Sequence, residues 1–167
     1  MSIAIEGLLF GWKKNLDYGT KLVADLTDEQ MVTQPAGVKG EAPVNHPAWL
    51  LSHLNLYLPV MAAIIEGRDF NDPKQHRFGM LSKPEADGDL YSSKDELVEA
   101  FVLGHEHVEA MLRNASDNVL EQPVLLPRWK EIMPKAGIAL PYLMLNHENT
   151  HLGQLSAWRR MMGLPSV

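Results

Sequence analysis

The fold is decided by the C-terminal residues 138–162, which read IALPYLMLNHENTHLGQLSAWRRMM. Apolar and polar side chains recur in this stretch with the period of an α-helix, and Gly163 and Pro165 follow where such a helix should stop. The positions that share one face, and that we predict to lie in the core, are Leu140, Met144, His147, His151, Gln154, Trp158 and Met161. The pattern therefore predicts a helix from about 138 to 162 with two histidines, one turn apart, on its buried side.

Three further stretches, at about residues 3–26, 45–67 and 93–114, show the same periodicity. Asn45 is the predicted N-cap of the second helix, and Ser93 with Glu96 has the spacing of a capping box at the start of the third. No stretch alternates convincingly as a strand does, so we predict an all-α four-helix bundle. A chain of 167 residues has room for one sizeable core, which makes residues 1–167 a single predicted domain.

The connections between the predicted helices are long and rich in glycine and proline. Residues 67–92 and 114–135 should be mostly irregular, and a loop marked by Pro35, Gly37, Gly40 and Pro43 precedes the second helix. Tight up-down bundles use connections of about 2–8 residues. Connections as long as these can cross the end of a bundle and cover a site.

The second helix is apolar on nearly every face. Between residues 47 and 65 the clearly polar positions are Ser52, His53 and Asn55, and the stretch approaches the roughly 20 residues of a membrane span. Its central polar residues and Pro59 favour a buried helix instead, so no membrane is expected. Because one bundle seam does not need so many apolar faces, we predict a homodimer contact through this helix, with Leu58 on its exposed side.

Composition excludes several classes of function. The net charge is −6 and no dense Lys/Arg run occurs, which argues against nucleic-acid binding; Arg159 and Arg160 complement the dipole at the end of the last helix. The absence of cysteine excludes disulfides, zinc–thiolate sites and a cysteine nucleophile. Residues 1–12 lack the pattern of a signal peptide, so a cytoplasmic protein is expected.

Three histidines form the candidate site. His53 shares a stripe of the second helix with Trp49 and Tyr57, and it should therefore meet His147 and His151 in the core. Three neutral imidazoles at one point can hold a transition metal and leave a position open for water. The spacing alone leaves two alternatives open, a metal site or three buried histidines that find partners within the core.

The remaining histidines give weaker signals. His105 lies on the apolar stripe of the third helix, and we expect it in the core or beside the site rather than as a fourth ligand. His46 stands two turns before His53 on the same face, too far to bind the same ion, and a surface role is expected. His107 should be exposed, and His76 lies in a loop.

Residues 147–151 also match the HExxH pattern of zinc proteases, in which Glu148 would be the general base. Nothing in the flanking sequence indicates the mixed sheet or the third downstream ligand of those enzymes. In a helix Glu148 lies about 100° around the axis from His147. We therefore predict that it is a carboxylate at the rim of the site or on the surface, or at best a group that contacts a metal ligand.

The motifs around these histidines resemble the DinB family of four-helix metalloproteins. The resemblance covers nearly the whole chain and rests on the segments WLLSHL (49–54), HENTHLGQL (147–155) and WRRMMGLP (158–165). It implies that His53, His147 and His151 are the metal ligands. Three imidazoles without thiolates suit zinc, nickel, iron or copper, and the resemblance favours zinc or nickel. It further implies an up-down-down-up bundle, usually a dimer, and it does not imply DNA binding.

Related branches of that family include S-transferases and isomerases that use low-molecular-weight thiols such as bacillithiol or mycothiol. The resemblance thus favours a metal-dependent enzyme that acts on a small molecule, either a thiol S-transferase or a hydrolase-like enzyme. The alternatives are a non-catalytic metal-binding or small-ligand-binding stress-response protein, and a structural dimer with packing histidines. The absence of cysteine fits the first hypothesis, because the sulfur nucleophile would come from the cosubstrate.

Overall fold

A computed structural model of the chain describes residues 2–35, 44–116 and 118–167. Its helices are α1 (Ile3–Val23), α2 (Asp28–Met31), α3 (Pro47–Glu66), α4 (Lys94–Asn114), α5 (Ala136–Pro141) and α6 (Glu148–Met161). A π-helical segment, Tyr142–His147, joins α5 to α6 without a break, so these three elements form the fourth long helix.

The all-α prediction is confirmed. In the described ranges the only β-type pairing is an isolated bridge between Pro123 and Lys135. The two long connections contain short 3₁₀ turns at Pro73–Gln75, Gly88–Leu90, Val119–Glu121 and Pro127–Trp129. The up-down-down-up order stays a prediction, and most of the predicted loop at residues 35–43 lies outside the described residues.

The helix ends follow from their capping residues. The Ser93–Glu96 capping box forms as predicted, and the side chain of Ser2 caps α1. The N-cap of α3 is His46 rather than Asn45: the Trp49 backbone N–H donates to His46 Nδ1 at 3.3 Å. His46 is fully buried and its Nε2 lies 2.9 Å from the Glu85 carbonyl oxygen, so the expected surface role is wrong.

The long apolar helix α3 is covered by its own chain. It is the one helix among the described residues that is long and apolar enough to cross a membrane, yet most of it is buried inside the protein. It packs along α4 and also contacts α5 and α6. Leu58, which we expected on an exposed side, is only 6% exposed, so that prediction is wrong. The apolar surplus of α3 thus does not require a second copy, and the homodimer stays a prediction.

The contact between α3 and α4 depends on Gly104. A Cβ placed there would lie 2.3 Å from Leu58 Cδ1 and 3.0 Å from Leu58 Cγ. Gly104→Ala is therefore expected to lower the free energy of unfolding by about 1–3 kcal/mol through overpacking. Thermal denaturation measures the effect. Gly7→Ala in α1 is the matched control, because nothing lies within 4 Å of its Cβ and the change should stabilise the helix by about 1 kcal/mol. Equal melting temperatures for the two variants would contradict this account of the contact.

The end of α6 is fixed by Arg159. Its side chain is buried, donates to Asp25 Oδ2 at 2.9 Å and to the Leu22 carbonyl at 2.9 Å, and also donates to the Pro165 carbonyl at 3.0 Å. We had expected Arg159 only to complement the helix dipole, but these hydrogen bonds give it a larger structural role. It ties α6 and the C-terminal residues to the end of α1.

Candidate metal centre

Two long helices bring the three predicted histidines together. His53 projects from the middle of α3, His147 is the last residue of the π segment, and His151 stands one turn later on α6. One ring nitrogen from each lies within 4.8 Å of the others, which makes this group able to hold a metal ion. His53 is buried and the other two are half-buried, so the cluster sits at the boundary between the core and a pocket.

The His53 ring is oriented by a backbone carbonyl. Its Nδ1 lies 2.5 Å from the carbonyl oxygen of Phe78, and because a carbonyl can only accept, Nδ1 carries the proton. In the neutral ring Nε2 then keeps its lone pair and lies 3.1 Å from His147 Nε2. Trp49 stacks on the other side of His53, with ring centroids 4.8 Å apart and planes 12° apart. The ring is thus held with its basic nitrogen toward the cluster.

His151 is oriented in the same manner by a side chain. Its Nδ1 donates to Gln154 Oε1 at 3.0 Å, and Asn45 Nδ2 donates to the same oxygen at 3.1 Å. The amide of Gln154 therefore fixes the tautomer that leaves His151 Nε2 unprotonated. Asn45, which we had predicted only as a helix cap, links this pair to the segment that precedes α3.

The surroundings favour neutral imidazoles, the form that binds metals. Burial, together with the neighbouring histidines, lowers the pKa of His53 to about 4 and that of His147 to about 3. Burial also lowers the pKa of His151, against the opposing effect of its hydrogen bond to Gln154. At neutral pH the cluster is therefore ready to donate lone pairs without first losing protons.

The π segment decides which residues of the fourth helix face the pocket. After it, the buried positions are Glu148, Leu152, Leu155, Trp158 and Arg159. The predicted core stripe continued through His147, His151, Gln154, Trp158 and Met161, and of these Trp158 is buried as predicted. A π turn holds an additional residue, so the core face moves on by about one position. Gln154 and Met161 are consequently exposed, and the two histidines turn toward the pocket rather than into the core.

Local chemistry explains why the π segment forms here. Pro141 has no N–H to donate to the preceding turn, and the wider turn begins at the next residue. Asn15 of α1, itself buried, donates through Nδ2 to the Met144 carbonyl at 2.9 Å. This bond satisfies a carbonyl within the irregular turn and anchors the turn against α1. π-helical turns occur often at functional sites, and this one carries a candidate ligand.

Glu148 lies in the core, so its predicted place at the rim is wrong. It is 2% exposed, and its Oε1 lies 3.0 Å from His105 Nε2. Burial raises the pKa of this carboxyl, while its hydrogen bond to His105 lowers it. His105 is a core histidine, as expected, and it stacks on Trp12 with ring centroids 3.8 Å apart. The carboxylate points away from the three-histidine cluster and is not placed to act as a general base there.

A pocket of about 850 Å³ opens on the cluster. The first long connection contributes Met80 and Ser82 to its wall, and the second contributes Arg128, Trp129, Ile132 and Met133. Tyr57, Tyr142, Asn146 and Thr150 line it from the helices. Both long connections therefore line the pocket beside the cluster. His76 and His107, by contrast, are exposed and lie outside this pocket, and exposure had been expected of His107.

The donor set fits a tetrahedral transition-metal ion. Two nitrogens bound to one such ion at about 2.0–2.1 Å lie about 3.3–3.4 Å apart. The 3.1 Å between His53 Nε2 and His147 Nε2 therefore differs by only a few tenths of an ångström. Three imidazoles would leave a fourth position of such an ion without a histidine ligand.

Sequence reasoning found the three histidines, and Gln154 as a residue that could orient one of them, but it missed other groups around them. The Phe78 carbonyl and the Arg128 side chain come from irregular connections, where no periodic pattern indicates which way a group points. Asn15 stands on the buried stripe of α1, where a polar residue among apolar ones was the available signal.

The fold and the site thus define a class of protein: an all-α protein in which three histidines converge beside a pocket. The family profile described as DinB superfamily matches residues 12–155, and the chain belongs to that superfamily. Neither the curated proteins nor the solved structures gave a match to this chain.

Proposed function

We propose that this protein is a metal-dependent enzyme whose ion is held by His53, His147 and His151 and whose cosubstrate is a low-molecular-weight thiol. The observation that carries the proposal is the convergence of three neutral imidazoles, within 4.8 Å, on a pocket of about 850 Å³. A purely structural site would be closed by a fourth protein ligand. Membership of the DinB superfamily supports the same ligand set.

The chain's own residues prepare the site. The Phe78 carbonyl and Gln154 fix two of the imidazole tautomers, and Trp49 and Tyr57 pack against the His53 ring. A divalent ion held there would lower the pKa of a thiol or water at the open position and so supply a nucleophile at neutral pH. Because the chain has no cysteine, the sulfur must come from a cosubstrate.

The metal we propose is zinc or nickel, with iron as the third choice. Imidazole nitrogens without thiolates or carboxylates suit these borderline ions, whereas magnesium and calcium prefer oxygen ligands. Elemental analysis of protein purified without chelator tests this directly. Recovery of zinc, nickel or iron near one ion per chain is expected. Magnesium or calcium alone would contradict the site.

Activity is tested with metal-loaded protein and a panel of small thiols that includes bacillithiol and mycothiol. With 1-chloro-2,4-dinitrobenzene as the electrophile, the thiol sulfur forms a bond to the ring carbon, chloride leaves, and the thiol proton passes to the buffer. Turnover that exceeds that of chelator-treated protein is expected. Stoichiometric metal without turnover for any thiol would instead support the alternative of a non-catalytic metal-binding protein.

A further inference from the structure

The pocket beside the three histidines contains one permanently charged side chain, Arg128. No aspartate or glutamate lines it, although the chain as a whole carries a net charge of −6. Asp72 offsets the charge of Arg128, yet the described lining offers N–H donors and no carboxylate, and a bound divalent ion would make this wall electropositive. Charge complementarity selects an anionic ligand.

Arg128 is held in place rather than left mobile. Its Nε and Nη2 donate to the two carboxylate oxygens of Asp72 at 2.6 and 2.8 Å, and its guanidinium lies 4.9 Å from the centroid of the Trp129 ring. The side chain is 29% exposed. A guanidinium has five N–H donors, so donors remain for a ligand after the pair with Asp72 is made. A fixed, partly buried fork of this kind suits carboxylate recognition.

Arg128 lines the same pocket as the three histidines. Tyr57 separates the two: its ring centroid lies 4.5 Å from that of His147, and burial raises its pKa while the neighbouring Arg128 lowers it. Arg128 and the cluster therefore line the same pocket, with Tyr57 between them. The rest of the wall is apolar, and Met80, Ile132 and Ile138 are about half exposed or more at the mouth. Such a surface takes up an apolar or aromatic body.

We propose that the ligand of this pocket is a small anion with an apolar or aromatic body, and that Arg128 binds its carboxylate. The proposal rests on the proposed function, since it describes the molecule that the three-histidine site acts on. It makes Arg128 a specificity-determining residue that binds the ligand without touching the metal ligands.

The test uses two thiol probes that differ in charge alone, 2-benzyl-3-sulfanylpropanoate and its uncharged amide, 2-benzyl-3-sulfanylpropanamide. Their affinities for zinc-loaded protein are measured by calorimetry. The carboxylate is expected to bind about 10-fold more tightly, a modest preference because Asp72 already pairs with the guanidinium. In Arg128→Met the preference should fall to within about 2-fold of unity while the affinity for the amide is unchanged. Arg113→Met removes the same charge from the exposed end of α4 and should keep the preference.

The outcomes separate this proposal from the proposed function. His147→Ala should lower the affinity for both probes by the same factor and keep the carboxylate preference, because it changes the part of the pocket that binds the thiol and not the part that binds the carboxylate. If the protein binds no zinc, the proposed function fails, but the ratio of the two probes in metal-free protein still reports on Arg128. Equal affinity of the parent for both probes, an unchanged ratio in Arg128→Met, or binding of neither probe would overturn the assignment.

Discussion

Replacing His147 with alanine is expected to weaken zinc or nickel binding by at least about 100-fold. Loss of a side chain that merely orients a metal ligand commonly costs about 10- to 100-fold in affinity, and His147 would supply one of three direct bonds. His53→Ala and His151→Ala should have comparable effects, because the three nitrogens lie within 4.8 Å and form one unit. Competition against a chromogenic chelator measures all three affinities on one scale.

Two controls sharpen this comparison. His107→Ala removes an exposed imidazole of α4 and should leave the affinity unchanged. Gln154→Ala removes the acceptor that fixes the His151 tautomer and should cost about 10-fold. If the three histidine variants bind metal as tightly as the parent, the site is wrong as drawn.

The same ion would connect α3 to the fourth helix, and this gives an independent readout. At metal concentrations of about 100 times Kd, binding to the folded state alone adds about 2.7 kcal/mol to the free energy of unfolding. For a chain of this size that corresponds to a rise in Tm of about 5–10 °C. The rise should be absent in His147→Ala. The fold itself should survive without metal, since its core is extensive.

How far the sequence predicts this molecule depends on the regularity of each element. The four helical segments and the histidine triplet could be predicted, because an ideal helix relates sequence spacing to direction. The fourth helix departs from that ideal at Tyr142–His147, and the departure turns Glu148 into the core and Gln154 out of it. A proline inside the helical pattern marks where the phase changes, but periodicity cannot say by how much.

Burial of α3 illustrates a different limit. Its apolar residues are visible in the sequence. The sequence does not show, however, how many other helices of the same chain cover α3, because that depends on the tertiary structure. Contacts with α4, α5 and α6 use the faces that we had assigned to a partner subunit. The pocket wall could not be predicted for a similar reason, because Arg128 and Trp129 lie in a connection whose path the sequence does not specify.

The second large expected effect is a loss of stability when the buried pair of Glu148 and His105 is broken. His105 Nδ1 lies 2.7 Å from the Phe101 carbonyl oxygen and so carries a proton. The 3.0 Å contact between its Nε2 and Glu148 Oε1 then requires one more proton, on either the ring or the carboxyl. Both side chains are almost completely buried, at 1% and 2% exposure. Their contact thus offsets part of what each side chain loses in leaving water.

Glu148→Ala is accordingly expected to lower the free energy of unfolding by about 3–5 kcal/mol, since it leaves a buried partner unpaired. At about 2–4 °C per kcal/mol for a chain of this length, Tm should fall by about 6–20 °C. Glu106→Ala, which removes an exposed carboxylate from α4, should change Tm by little. Metal affinity of the folded Glu148→Ala protein should stay within about 10-fold of the parent, because the carboxylate faces the core and not the cluster.

A double-mutant cycle separates pairing from packing. Glu148→Leu alone should be strongly destabilising, whereas Glu148→Leu combined with His105→Phe replaces both polar partners with apolar groups and should recover much of the loss. The interaction free energy is read from thermal or urea denaturation of the parent, the two single variants and the double variant. Additive losses would show that the pair contributes no coupling, and a Tm of Glu148→Ala within 2 °C of the parent would contradict its role in the core. Loss of the metal from Glu148→Ala protein that remains folded would instead place this carboxylate among the ligands.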